Sequence, residues 1–376
     1  MTYSNKSLCR RSIMPETPNQ NDQYAQQLQR RRRRRRAVAR RRRLLLIAIA
    51  AVVVFLGYTI WDVLRPPEFK DNTIQPVNGE QTSTEKSNDL DAQTPVSEVT
   101  EPVEVKPEKP PKVRKENYYT FVLAGTNDDY NTDTIMLGSV DTEKDIVNVV
   151  SIPRDTMIDI PNNIKKINSS YGRNGMDELC YQLQQVTGVY PDYYCLVNMT
   201  DFIKVVDVIG GVYFDVPYDM YHEDADERFN INLSKGYQLL DGKKAIQLVR
   251  FRGTSASDFG RMEVQRDFLK AVGKKLVDEF TISQASDIIT TVAKSIKTNM
   301  PVKDMIWFYI NVAREIDFDN AITFDTMPGT SPGTWKGLEY IYLSPRATVD
   351  YINQKINPFT TDLDLDDVHI ISLVDK

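Results

Sequence analysis

Residues 44–61, LLLIAIAAVVVFLGYTIW, are 18 consecutive positions without a charge. As a helix rising about 1.5 Å per residue they span roughly 27 Å, close to the hydrocarbon thickness of a bilayer. Trp61 stands at the far end, where interfacial aromatics are found, and a block of arginines abuts the near end. The positive-inside rule then puts residues 1–43 in the cytoplasm and everything after Trp61 outside. A cleaved signal peptide fits less well. The basic head is long, the apolar run exceeds a typical signal core, and no small-x-small site precedes Asp62. The expectation is a single-pass signal anchor in the cell membrane, with the C-terminal bulk extracellular.

The charge distribution agrees. The net charge of -5 hides a split: residues 1–43 hold 14 Lys and Arg against Glu16 and Asp22, a net of +12. The other 333 residues hold 33 basic and 50 acidic side chains, a net of -17, as if the two parts faced different compartments. An arginine run can also be a nucleic-acid arm. Beside a membrane span, orientation and contact with anionic membrane lipids explain it more cheaply, so no nucleic acid is expected. His222 and His369 are the two histidines and no C-x-x-C occurs, which argues against a zinc centre or a His-based triad. Cys180 and Cys195 would both lie outside, and two readings stand: a disulfide, or two buried free thiols.

Residues 1–43 read as a polar, Arg-rich disordered head. Residues 62–117, rich in Pro, Glu and Thr, read as a tether, about 40 Å end to end as a coil and up to roughly 160 Å as stretched polyproline II. Order is expected from Tyr118 to the C-terminus. Apolar runs at 118–124, 134–140 and 146–152 read as strands, the last two as a hairpin. Helical spacing follows at 177–186, then a strand at 193–197, a helix at 201–209 ended by Gly210-Gly211, and a strand at 212–216. Asp241 is placed to cap a helix to about 249, before a long helix at 261–280 and helical stretches at 283–297 and 302–316. Strands at 322–327 and 340–343 precede a helix opened by Ser344-Pro345. Strands alternating with helices predict one α/β domain over residues 118–376, with helices packed on a largely buried sheet.

Five stretches carry chemistry. Residues 250–265 gather Arg250, Arg252, Asp258, Arg261 and Gln265. Guanidinium forks pair bidentately with phosphate oxygens and stay charged at any biological pH, so a phosphate diester or pyrophosphate suits them. A solvated basic helix face is the alternative. Residues 124–133, AGTNDDYNTD, put Asp128, Asp129 and Asp133 on a strand-end loop. Mg2+ takes one or two such carboxylates and keeps water or phosphate oxygens, although N-D-D also favours a plain turn. Residues 151–155, SIPRD, place Arg154 after a stiffening Pro153. Lys166, in KIN, offers a point charge to phosphate. Residues 236–252, GYQLLDGKKAIQLVRFR, run from a turn and cap into Arg250 and Arg252, where a helix dipole favours cations.

In this order the stretches resemble a LytR-CpsA-Psr (LCP) domain. The matching segments are a GTN-D loop with TDTIM at 132–136, SIPRD, KIN, D-x-x-G-G-V at 207–212, G-x-x-L-D-G at 236–242, V-R-x-R at 249–252 and D-F-x-R-x-x-x-Q at 258–265. The resemblance covers residues 118–275 closely and the remainder loosely. It implies an αβα sandwich around a mixed sheet, with a long apolar pocket for a lipid tail. It also implies an Mg2+-dependent transferase. Such an enzyme moves an anionic glycopolymer, such as wall teichoic acid or capsule, from a polyprenyl (pyro)phosphate carrier to peptidoglycan through a phosphodiester. By the same resemblance Arg154, Arg250, Arg252, Arg261 and Gln265 bind pyrophosphate, with Lys166 as a further phosphate contact. Asp133, with Asp128, holds the metal, and Asp258 is the acidic member of the arginine cluster. The first motif departs from the pattern: Asn127 stands where the family carries Asp, and Asn131 where it carries Arg. A non-catalytic scaffold binding polyprenyl phosphate is therefore the alternative, and a membrane-bound transcriptional attenuator a more distant one. The helix faces at 264–277 or 306–312 are candidates to line the pocket, or are ordinary core.

Overall fold

A computed structural model describes residues 65–68, 111–126, 130–226, 230–251 and 258–372, with the backbone alone at 258–262. The arginine-rich head, the apolar segment 44–61 and most of the tether lie outside the described residues. Among the described residues no helix is long and apolar enough to cross a membrane.

The expected opening hairpin forms. Strands β1 (Tyr118–Thr126), β2 (Thr132–Asp141) and β3 (Ile146–Ser151) pair antiparallel in sequence. The Asp141 carboxylate accepts the amides of Glu143 and Lys144 in the β2–β3 turn, and Asp145 takes a positive φ of 52° to close it. Helix α1 (Ser170–Thr187) starts earlier than its apolar spacing suggests, because Gly175 at φ 73° lets the chain kink into a preceding turn. β4 (Tyr193–Asn198) leads directly into α2 (Met199–Val208), where Asn198 accepts the amide of Asp201. Then come β5 (Val212–Val216), β6 (Met220–His222), β7 (Ile231–Leu233), β8 (Gly236–Leu240), α3 (Gly242–Arg250), α4 (Asp258–Asp278) and α5 (Ile282–Ala293). The chain ends with β9 (Lys297–Thr298), α6 (Val302–Phe308), β10 (Ile322–Thr326), β11 (Ser331–Trp335), β12 (Leu338–Tyr342) and α7 (Pro345–Lys355).

Six strands form one mixed sheet in the order β10-β3-β2-β1-β4-β9. β1 and β4 are parallel, as are β3 and β10, so the carboxyl ends of these four strands share one edge. Side chains alternate across the sheet. Val122, Ala124, Ile135, Leu137, Val150 and Leu196 face a core closed by Leu179 and Leu183 of α1 and by Val349 and Ile352 of α7. The opposite face carries Tyr119, Val140 and Tyr193 at one end, packed on Trp307 and Phe308 of α6. This is a mixed α/β domain with helices on both faces.

The D-x-x-G-G-V and L-D-G segments turn out to be structural partners. Asp207 accepts the amide of Gly242 at 2.8 Å, and β5 pairs with β8 so that Val212 meets Leu240. A side chain at Gly242 would come within 2.3 Å of the Ile203 carbonyl, which is why α2 and α3 can touch backbone to backbone there. Asp241 caps α3 through the amide of Lys244, as the sequence predicts.

Candidate functional site

On the second sheet face, moving toward the shared strand edge, the large rings give way to Leu123, Gly125, Thr134, Met136, Cys195 and Val197. Helices α2 to α5 stand off this surface and enclose a cavity of 510 Å³, a size ordinary for a small-ligand pocket. Its deep walls are apolar: Phe202, Val205 and Ile246 line it with Phe268, Leu269, Val272 and Val292. Of the two candidate helix faces, the one within 264–277 lines this cavity. The one within 306–312 packs instead on Tyr119 and Tyr193.

The polar end lies at the strand edge. Asp133, Arg250 and Gln265 line the cavity there, with Thr126, Thr134 and Asn198. Arg154, just past the end of β3, donates from Nη1 to Asp133 Oδ1 at 2.6 Å. Its Nε lies 3.7 Å from Asp155 Oδ2. Arg250 occupies the last turn of α3, and Gln265 of α4 donates its side-chain amide to the Val249 carbonyl at 2.8 Å, fixing the end of α3 beside it. Arg250 thus brings a guanidinium to the cavity from the helices, while Arg154, not itself a lining residue, is paired on the sheet side with the lining carboxylate of Asp133.

The remaining named residues fall elsewhere. Lys166 pairs with Asp155 Oδ1 at 2.8 Å, with its ammonium 5.4 Å from the centre of the Tyr340 ring, and is not among the cavity-lining residues. Asp258 and Arg261 lie in the first turn of α4, where only the backbone is described. Asp128 and Arg252, with Asn127, lie outside the described residues. Cys180 and Cys195 are free thiols, pushed up to about 12 and about 11 by burial.

His222 and Asp224, which belong to none of the sequence motifs, also line the cavity. They sit at the end of β6, where His222 Nε2 lies 3.9 Å from Asp224 Oδ2. Nothing local marks them; only the pairing of β6 with β7 brings them to the wall.

Among the described residues no cluster of three or more His, Cys, Asp or Glu side chains is placed to hold a metal. The donor at the strand edge is one hard carboxylate, Asp133, about 29% exposed, while Asp224 lines the cavity from the end of β6. That fits Mg2+, which is commonly held by one or two carboxylates and completes its shell with water and substrate phosphates; it does not fit a site built wholly from protein ligands.

Comparison with known proteins shows what the chain as a whole is similar to. An uncharacterised protein of Staphylococcus aureus is 31% identical over 190 residues, 49% of this chain and 47% of that protein. The polyisoprenyl-teichoic acid–peptidoglycan teichoic acid transferase TagU of Bacillus cereus is 29% identical over 250 residues, 65% of this chain and 79% of TagU. TagV of B. subtilis shares the fold, with a TM-score of 0.54 at 21% identity over 62% of this chain and 94% of TagV. The family model described as the LytR_cpsA_psr family matches residues 74–357, and the chain belongs to that family.

Proposed function

We propose that this protein transfers an anionic glycopolymer from a polyisoprenyl (pyro)phosphate carrier to peptidoglycan, forming a phosphodiester. The observation that supports it most is the cavity itself. One end is apolar, as a hydrocarbon chain requires; the other is lined by Arg250, Gln265 and Asp133, the last paired with Arg154. The TagU relative is named for this class of reaction.

With a pyrophosphate donor, a peptidoglycan sugar hydroxyl attacks the phosphorus next to the glycopolymer. The new P–O bond forms as the bond to the bridging oxygen breaks, and polyisoprenyl phosphate leaves. Arg154 and Arg250 hold the phosphates in line and offset the charge that develops on them. A carboxylate of the 124–133 loop, Asp133 or Asp128, orients the attacking hydroxyl and takes its proton. Mg2+, bound by Asp133 with Asp128, would supply further charge neutralisation at the phosphates. The chain is anchored by residues 44–61, with this domain outside the cell membrane.

The test is transfer from a lipid-linked donor to peptidoglycan by the full chain in detergent. A charge-assisted hydrogen bond contributes about 1.5–3 kcal/mol, so Arg154→Ala and Arg250→Ala are each expected to slow transfer about 10- to 100-fold. Unchanged transfer by both variants would overturn the mechanism. The departure at Asn127 favours a second reading, a non-catalytic binder of lipid phosphate. Ligand bound without turnover on any acceptor would select it.

A further inference from the structure

The KIN motif is unexplained by the cavity, because Lys166 is not in its wall. It is instead the far end of a chain of charges that passes through Arg154 to the cavity-lining carboxylate of Asp133. Lys166 Nζ pairs with Asp155 Oδ1 at 2.8 Å. The other oxygen of Asp155 lies 3.7 Å from Arg154 Nε, and Arg154 Nη1 reaches Asp133 at 2.6 Å. Cation and anion alternate along these four side chains, so each fixes the next.

The backbone reinforces the same geometry. The amide of Asn168 donates to the Arg154 carbonyl at 3.1 Å, and that of Ile167 to the Thr156 carbonyl at 3.0 Å. Ile341 of β12 donates to the Asp155 carbonyl at 2.9 Å and accepts from Met157 at 2.8 Å. Tyr340, 1% exposed, puts its ring beneath the Lys166 ammonium. An arginine on a free loop would sample many rotamers, and each would have to be frozen when a phosphate arrives. Here Asp155 sets a negative charge 3.7 Å from the guanidinium's Nε edge while Nη1 donates to Asp133, so the group is drawn from both sides along one line. That is preorganisation of a charge.

We propose that Lys166 is a positioning residue: through Asp155 it sets the direction of the Arg154 guanidinium at the phosphate end of the cavity, and it does not itself touch the ligand. This rests on the pyrophosphate reading above.

The experiment is a double-mutant cycle on the full chain in detergent, with geranylgeranyl pyrophosphate as the probe and affinity as the readout. Lys166→Met is expected to weaken binding about threefold to tenfold, and Lys166→Arg, which keeps the pairing charge, to restore most of it. Asp155→Asn is expected to match Lys166→Met, and being isosteric it guards against a variant that fails to fold. In an Arg154→Ala background, Lys166→Met should produce no further loss, since nothing is left to position. If the two losses multiply, Lys166 acts on the ligand directly and the proposal falls. It falls equally if Lys166→Met binds as the parent does while Arg154→Ala binds weakly. Should Arg154→Ala itself leave binding unchanged, the pyrophosphate reading fails and takes this proposal with it.

Discussion

The two walls of the cavity are built by different physics. The sheet wall is strand backbone locked by ladder hydrogen bonds, and its charged end is tied down by ion pairs among Asp133, Arg154, Asp155 and Lys166. The helical wall is held by apolar contact. Phe268 is fully buried between Phe202 and Phe214, at ring separations of 6.0 and 5.8 Å, in a cluster with Val206, Leu240 and Leu248. Packing in the helical wall and charge on the sheet wall are therefore separable. Removing a ring from the helical wall should unsettle the fold, whereas removing a charge from the sheet wall should spare it.

That contrast predicts the largest effect. Phe268→Ala is expected to destabilise the domain by about 3–5 kcal/mol, the usual range for deleting a buried aromatic ring. Arg154→Ala, whose ion pair is about one-third exposed, should change stability by no more than about 1 kcal/mol. Urea unfolding of the two variants against the parent measures both. Equal losses would mean that the arginine is part of the framework, and the division between the walls would not hold.

A smaller effect probes how the helical wall is joined. Asp207 on α2 accepts the first amide of α3. Asp207→Ala leaves that amide to water and is expected to lower stability by about 1–2 kcal/mol, as loss of a helix cap does. Because α3 ends in Arg250, probe affinity should fall as well. A stability loss with affinity intact would show that the join serves the fold alone.

The same contrast explains what could be read from the sequence. β1, β2 and β3 are runs of apolar residues, so the three strands and the β2–β3 hairpin are legible in their residues. Arg154 and Asp133 sit in compact motifs, and the structure brings them within 2.6 Å. The hairpin of β6 and β7 has three residues per strand and a polar turn, too short for any period to show, and so His222 and Asp224 went unnoticed as cavity residues. β11 holds Pro332 and Gly333, both poor strand formers, and forms through its ladder with β12. That hairpin supports Asp155 and Lys166 from almost two hundred residues away, a contact no local pattern can carry. The Cys180 and Cys195 alternatives were likewise settled only by the fold, which leaves both thiols free.

The smallest effect separates charge from packing by pH. Asp159 lies on the segment between SIPRD and KIN, where its carboxylate accepts hydrogen bonds from Lys165 at 3.0 Å and pairs with His369 at 3.2 Å. The Lys165 bond first, and the His369 bond second, hold its carboxyl below the usual value of 3.8. With the folded value depressed, the unfolded chain takes up the proton more readily as acid is added. The stabilisation is therefore complete above about pH 4 and fades as the pH falls through the lower folded value. Asp159→Asn removes it. The parent should exceed this variant by at most about 1 kcal/mol near neutral pH, since the pair is partly exposed, and the gap should shrink between about pH 5 and pH 3. Phe268→Ala has no titrating group to lose, so its deficit should stay level over the same range. Urea titrations at the two pH values decide it: a level gap for Asp159→Asn would mean that the carboxylate contributes shape to this segment and not charge.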